Sequence, residues 1–294
     1  MDDGDSFKPV LSIITAIHNG ITLNKVFWES LSLYTVNKFE LIVIDNASTD
    51  GSIEFFEKKG AVIIRNSQNF AYSYCQNQGL AIAKGKYLCF FNNDLLLSPK
   101  WDERLIHIAT KHELDVFSAS GIENTGDYAS SRQMEKKWKR VKYPLLIFRL
   151  SISSLKAMIS IMYGNWVSFC ERRYAKYGTS VVEGIVGNNV VMTQKAISML
   201  GGWDTRIQAA DFDIFMTIKK MSIEKGGIKP CHIALGVFIH HYGRMTSKYG
   251  KTKYKPFANE SELIDLETKW TKKELTELHP DNATKLATNP KIIV

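Results

Sequence analysis

The first hundred residues alternate short apolar runs with amphipathic stretches, and few folds accommodate that order. Residues 10–16, 40–45, 61–65 and 87–91 are rich in β-branched and aromatic side chains and short enough to be buried strands. Between them, residues 23–34 repeat apolar positions at Val26, Phe27, Leu31 and Leu33 with helical spacing. The cap-rich stretch 46–51 leads into a second helix ending near Gly60, and residues 69–83 read as a third. Parallel strands need long crossovers and helices supply them, so the pattern predicts an α/β fold, a mostly parallel central sheet flanked by helices.

Polar side chains gather where each apolar run stops: His18 and Asn19, Asp45 and Asn46, Asn66 and Gln68, then Asn92-Asn93-Asp94. Open α/β sheets bind ligands outside the carboxyl ends of their strands, so four such loops describe a nucleotide-sized pocket. The last triplet is the sharpest signal, because Leu95-Leu96-Leu97 resumes at once and leaves a carboxylate in a buried stretch. A buried carboxylate needs a partner, and a hard divalent cation carrying a phosphate-bearing substrate would serve. A turn in which Asn and Asp cap the backbone is an equal reading of the triplet alone. No G-x-G-x-x-G follows the first run and no G-x-x-x-x-G-K-[ST] occurs in the chain, which disfavours dinucleotide dehydrogenases and P-loop enzymes.

The 294 residues are 45% hydrophobic and 23% charged, enough for a sizeable core, and carry a net charge of +8. Cys75, Cys89, Cys170 and Cys231 are widely spaced with no C-x-x-C pair, which points to a reducing, cytoplasmic setting and against a zinc site. The polar, acidic start MDDGDSFKP is not that of a secretory signal. Positive charge collects at 136–142 and 247–255, and neither cluster resembles a nucleic-acid module, so no nucleic-acid partner is expected. Residues 143–163 are apolar-rich but contain Arg149 and Lys156, which oppose a membrane span. They predict an amphipathic helix behind a basic segment containing Trp138. Such a helix either lies peripherally on a membrane or packs on the catalytic core beside the second substrate. Further on, strands are expected at 181–186, 190–192 and 228–241, a helix at 194–200, and another opened by Asp211-Phe212-Asp213. Beyond Thr246 only 261–278 has clear helical spacing, so 246–294 is expected to be a C-terminal helical extension.

Taken together these blocks resemble the family 2 nucleotide-sugar glycosyltransferases, which have the GT-A fold, a Rossmann-like α/β architecture. The resemblance rests on Ser12-Ile13-Ile14-Thr15, the run from Phe39 to Ser52, Asn77-Gln78-Gly79, Asn92-Asn93-Asp94, Gly201-Gly202-Trp203-Asp204, Asp211-Phe212-Asp213 and His240-His241-Tyr242-Gly243. It spans about residues 8 to 245 and implies one GT-A domain over 1–245. Residues 1–100 would form the nucleotide-sugar half. Residues 101–245 would form the acceptor half, with the basic, amphipathic segment near 136–163. The resemblance implies a metal-dependent, inverting transfer from a nucleotide-diphosphate sugar to a hydroxyl of a glycan or lipid-linked acceptor, in surface polysaccharide biosynthesis. Ala16, His18, Asn19 and Asp45 would hold base and ribose, with Arg65, Asn69 and Asn77 in the same cleft. Asn92 and Asn93 would touch sugar or ribose, and Asp94 would ligate manganese or magnesium. Adjacent strand residues face opposite ways, so one of His240 and His241 would complete that site, His241 being favoured. Asp211 would be the catalytic base, with Trp203, Asp204 and Asp213 bordering sugar and acceptor. Two departures stand out: Asn92 replaces the usual first acid of the metal motif, and Ala210 replaces the glutamate before the catalytic aspartate. They leave a sugar-nucleotide-binding protein without turnover as one alternative; a sugar nucleotidyltransferase on a related sheet is another, disfavoured because His18-Asn19-Gly20 is not the Gly-rich, Arg- or Lys-bearing loop of that class.

Overall fold

The structure, a computed structural model, describes residues 8–146, 150–243, 245, 256–279 and 293. The first half runs β1 (Leu11–Ile17), α1 (Ile21–Tyr34), β2 (Phe39–Asn46), α2 (Ser52–Glu57), β3 (Val62–Asn66), α3 (Tyr72–Leu80) and β4 (Tyr87–Phe91). Strands β3, β2, β1 and β4 lie side by side and parallel, as the alternation predicts. Their period-two side chains divide between two packed faces. Ile13, Val43 and Phe91 meet Phe27, Leu31 and Trp101 on one face. On the other, Ile14, Ile42, Ile44 and Phe90 meet Cys75, Trp203, Ile214 and Phe215. Each fully buried side chain of this size contributes roughly 1.5–3 kcal/mol over an exposed one, so both helical layers are anchored to one sheet.

The second half follows as β5 (Leu95–Leu96), α4 (Trp101–His112), β6 (Val116–Ser120), α5 (Tyr128–Leu146), α6 (Ile152–Tyr163), α7 (Trp166–Tyr177), β7 (Val181–Glu183), β8 (Asn189–Thr193), α8 (Gln194–Leu200), α9 (Ala210–Glu224), β9 (His232–Phe238) and β10 (His240–His241). The sheet order is β3-β2-β1-β4-β8-β6-β9-β7. Strand β8 runs antiparallel to both neighbours, β6 is parallel to β9, and β7 is antiparallel to it. A separate antiparallel ribbon pairs β10 with β5 and sets His241 opposite Leu95.

Two expected helices are broken. The stretch 143–163 is the end of α5 plus α6: Pro144 sits in the last turn of α5, and Ser151 starts α6 afresh with a reciprocal Ser151–Ser154 capping box. The apolar side of α6 and Trp138 of α5 are spent on a third core with Tyr163, Trp166, Phe238 and Tyr242. The stretch 261–278 divides into Glu260–Glu262, Leu266–Lys269 and Lys272–Leu278. Ile264 pairs with Ile207 as a β-bridge, which takes it out of helical geometry, and Thr271 caps the last helix with Glu274. Residues 256–279 pack on the sheet's helical layer, with Trp270 and Leu278 inside the core that holds Phe215. The basic stretch 247–255 lies outside the described residues.

Candidate functional site

At the carboxyl edge of the parallel strands the side chains are locked to one another. Asp45, 1% exposed at the end of β2, accepts from the Ser48 amide at 3.1 and 3.3 Å, an Asx-type turn that leaves acceptor capacity on a buried carboxylate. The β1 loop is tied to that turn: the Asn19 amide donates to Ser48 Oγ at 2.7 Å, and Asn19 Oδ1 accepts from the Thr49 amide at 2.8 Å. His18 Nδ1 meets the Asn46 carbonyl at 2.6 Å, and its buried Nε2 has no partner among the described residues. Asn69 bonds Asn46, which also bonds Asn66, and Ala16 lies half-buried at the end of β1. Arg65 is exposed and paired with Glu57 at the rim.

Five expected site residues are drawn into the fold's own contacts. Asn77 uses its whole amide to clamp a backbone turn, donating to the Trp203 carbonyl at 2.8 Å and accepting from the Trp203 amide at 2.9 Å. Trp203 is 4% exposed and packs edge-on against Phe90 and Tyr72, so its ring serves the core and offers no stacking face. Asp213 accepts from Lys269 Nζ and Trp270 Nε1, both at 2.8 Å, and is 3% exposed. His240 is fully buried with Nδ1 on the Tyr163 hydroxyl at 2.8 Å and the Trp138 ring at its edge. Burial holds His240 well below the usual histidine pKa, hence neutral. Asp204 shares the Lys269 ammonium with Asp213 and is gripped by Arg206, whose hydrogen bonds push its pKa far below the carboxylate range.

The β10–β5 ribbon brings the other histidine to the polar triplet. His241 Nε2 lies 3.1 Å from Asp94 Oδ1, while Nδ1 lies 2.6 Å from Glu123 Oε1 and 3.1 Å from Asn188 Nδ2. Burial alone would lower the imidazole pKa, but Asp94 and Glu123 outweigh it and hold the ring well above its ordinary value. Asn93 donates to Asn24 Oδ1 at 2.6 Å and the Asn92 amide to the Asn188 carbonyl at 3.0 Å, which fixes the triplet's backbone. Asp94 is 6% exposed, and His241 is its side-chain partner among the described residues. No cluster of three or more His, Cys, Asp or Glu side chains able to cage a metal occurs among the described residues. One carboxylate and one imidazole nitrogen meeting at a cleft suit a magnesium- or manganese-type ion that takes its other ligands from a diphosphate. The residues fit such a cation.

A cavity of about 780 Å³ opens beside them, lined by Asn92, Glu123, Asn188, His241, Tyr72 and, on the α9 side, Asp211. Asp211 and the histidine that holds Asp94 therefore face one space. Asp211 stands in the first turn of α9, and burial raises its carboxyl pKa above the ordinary range. Gly187 lies against it so closely that a Cβ there would overlap the carboxylate. Glu123, Tyr72 and Gly187 were not singled out for the site from the sequence. The break at Gly187-Asn188-Asn189 was the one local sign of the third.

A family model described as "Glycosyl transferase family 2" matches residues 12–165. Among curated relatives, the "Uncharacterized glycosyltransferase YibD" of Escherichia coli K12 is 32% identical over 110 residues, 36% of this chain and 32% of that one. The "Putative glycosyltransferase EpsH" of Bacillus subtilis 168 is 25% identical over 145 residues, 46% and 42% of the two chains. The matches thus span less than half the length of these relatives. Among solved structures, a mannosyltransferase from Pyrobaculum calidifontis in complex with GDP-Man and Mn2+ superimposes with a TM-score of 0.52 at 14% identity, covering 83% of this chain and 59% of that one. Its likeness concerns the fold alone. With the family match extending over more than half of its length, this chain belongs to glycosyl transferase family 2, and its fold is GT-A.

Proposed function

We propose that this protein transfers a sugar from a nucleotide-diphosphate sugar to a hydroxyl of a glycan or lipid-linked glycan, inverting the anomeric centre. One observation carries the reading: Asp211, a carboxylate whose pKa is raised, and His241, the side-chain partner of Asp94, line a single cavity. Asp45, with its free acceptor capacity, and the His18–Asn19 loop hold base and ribose, while Asn92 and Asn93 border the phosphates. Asp94 and His241 would hold a divalent cation, which when bound supplies positive charge to the departing diphosphate. Asp211 takes the proton of the acceptor hydroxyl as that oxygen attacks the anomeric carbon from the face opposite the diphosphate. A base whose pKa lies nearer neutrality accepts that proton more readily, so burial of Asp211 serves the chemistry. The Pyrobaculum enzyme's complex with GDP-Man and Mn2+ supports this class of donor and cation. Surface polysaccharide assembly at the cytoplasmic face of a membrane is the setting we propose for it.

The test is a thermal-shift screen of UDP-, GDP- and dTDP-sugars with and without manganese, followed by NMR of the product. Stabilisation by one donor class that grows with manganese, and a product of inverted anomeric configuration, is expected. Retained configuration, or binding of every donor without consumption by any glycan acceptor, overturns the reading.

A further inference from the structure

We propose that Glu123 is a positioning residue for the cation site: it keeps the His241 ring proton on Nδ1, so that a cation taking the place of the Nε2 proton finds the Nε2 lone pair beside Asp94. The inference rests on the proposed function only in taking Asp94 and His241 as the cation's ligands.

Backbone geometry puts Glu123 where it is. The Ile239 amide donates to the Ser120 carbonyl at 2.9 Å, joining the end of β6 to the link between β9 and β10, just past a register shift at Ala119/Ser120. The Gly121 amide then bonds the Asn124 carbonyl at 3.0 Å, closing a turn that lays Glu123 along β10. A Cβ at Gly121 would crowd both Glu123 Oε2, at 3.1 Å, and the Ile239 carbonyl, at 3.2 Å, so the turn is fitted to this approach.

The two carboxylates then take opposite edges of one ring, Glu123 at Nδ1 and Asp94 at Nε2. A single cation beside Asp94 cannot also reach Glu123, which excludes Glu123 as a ligand and leaves it the hydrogen-bond acceptor behind one. A competitor sits at the same nitrogen. Asn188 Nδ2 is 3.1 Å from Nδ1, and Asn188 Oδ1 is already taken by Asn189 Nδ2 at 2.8 Å, so the amide can only donate toward His241. Nδ1 can give its proton to Glu123 or accept one from Asn188, not both. The 2.6 Å contact to a carboxylate oxygen is the shorter and stronger, so it decides. Without Glu123, Asn188 would bond a bare Nδ1, the one remaining ring proton would stay on Nε2 toward Asp94, and Nε2–H has no lone pair for a cation. Glu123 therefore selects between two tautomers that the fold otherwise supports.

Manganese binding, measured by EPR with UDP and with GDP, tests this on the full chain, with pulsed EPR reporting directly bonded nitrogen. The native protein should show a bound ion with a nitrogen ligand. E123A should weaken manganese binding about 10- to 100-fold and lose the nitrogen signal. E123Q, whose Oε1 still accepts from Nδ1–H, should recover most of both. In turnover, E123A should raise the manganese concentration for half-maximal rate far more than it lowers the rate at saturation. An unchanged melting temperature in E123A keeps these readouts separate from unfolding. If E123A keeps the nitrogen signal and the native affinity, or the native protein binds manganese without a nitrogen ligand, the positioning role is overturned while metal-dependent transfer stands. If no donor is transferred with any metal, the functional reading itself has failed.

Discussion

Asp211 makes opposing demands on stability and activity, which gives a signed prediction. A carboxyl whose pKa is raised in the folded state is easier to keep folded when protonated. Its favourable contribution is complete below the unfolded pKa of about 3.9 and is lost as pH rises through the higher folded value. Asp211→Asn should therefore raise the melting temperature at neutral pH and leave it unchanged near pH 3, as scanning calorimetry would show. The same variant should lower turnover by about 10²–10⁴-fold with donor-induced thermal shift intact. Near-native turnover would remove Asp211 from the base role. Gly187→Ala should act through the same carboxylate, since its methyl group overlaps Asp211. A large loss of turnover with normal donor binding is expected, and unchanged kinetics would show that the carboxylate can retreat at no cost. Asp94 stands out in the sequence as a polar residue breaking an apolar run, whereas Asp211 and His241 enter as site candidates only through the family resemblance. Glu123 was not legible, because it lies 118 residues from His241 and only the β6–β9 junction brings them together.

Element by element, the parallel half and the later β8, α8 and α9 were readable and the stretch 115–177 was not, for a physical reason. Buried parallel strands are continuous apolar runs that stand out from helical spacing, as 40–45 and 87–91 do. The three helices α5 to α7 bury one face against each other and β10, and their breaks depend on single residues such as Ser151 that a periodicity reading passes over. The C-terminal stretch shows the same limit: its spacing suits one helix, but tertiary pairing of Ile264 with Ile207 takes precedence. That packing reassigns Asp213 from the acceptor to the fold, because its two oxygens are consumed by Lys269 and Trp270. Asp213→Ala leaves the Lys269 ammonium to Asp204 alone and strands a buried indole N–H, and a buried donor left without its acceptor costs about 1–3 kcal/mol. A fall of that size in urea-unfolding free energy, with the rate per folded molecule retained at a permissive temperature, is expected. A variant of native stability that loses acceptor affinity would return Asp213 to the site.

On the scale of the whole molecule, the net charge of +8 is unevenly spent. The cavity wall carries Glu123, Asp127, Glu135 and Asp211 against Arg132, so the positive excess lies elsewhere. Much of it is on the outer side of α5, where Lys136, Lys139 and Arg140 are exposed. The inner side of that helix is closed: Trp138 is 4% exposed, the apolar face of α6 is buried, and among the described residues no helix is long and apolar enough to cross a membrane. Among the described residues only scattered apolar side chains of α5 and α6, Tyr128, Tyr143 and Ile161, stand exposed near this basic face, so it can adsorb to an anionic surface but has little to insert. Each basic residue near such a surface contributes about 1 kcal/mol, screened within a Debye length. If a lipid-linked acceptor is met in this way, the protein should sediment with vesicles containing phosphatidylglycerol at low salt and be released by 0.5 M salt. Its tryptophan emission should stay unshifted throughout. Reversing Lys136, Lys139 and Arg140 to Glu should weaken that binding by at least about 3 kcal/mol, two orders of magnitude, without changing turnover on a soluble acceptor. Salt-insensitive binding to neutral vesicles with a blue shift would instead require α5 and α6 to open their shared core and expose Trp138, and adsorption through the basic face would be the wrong account.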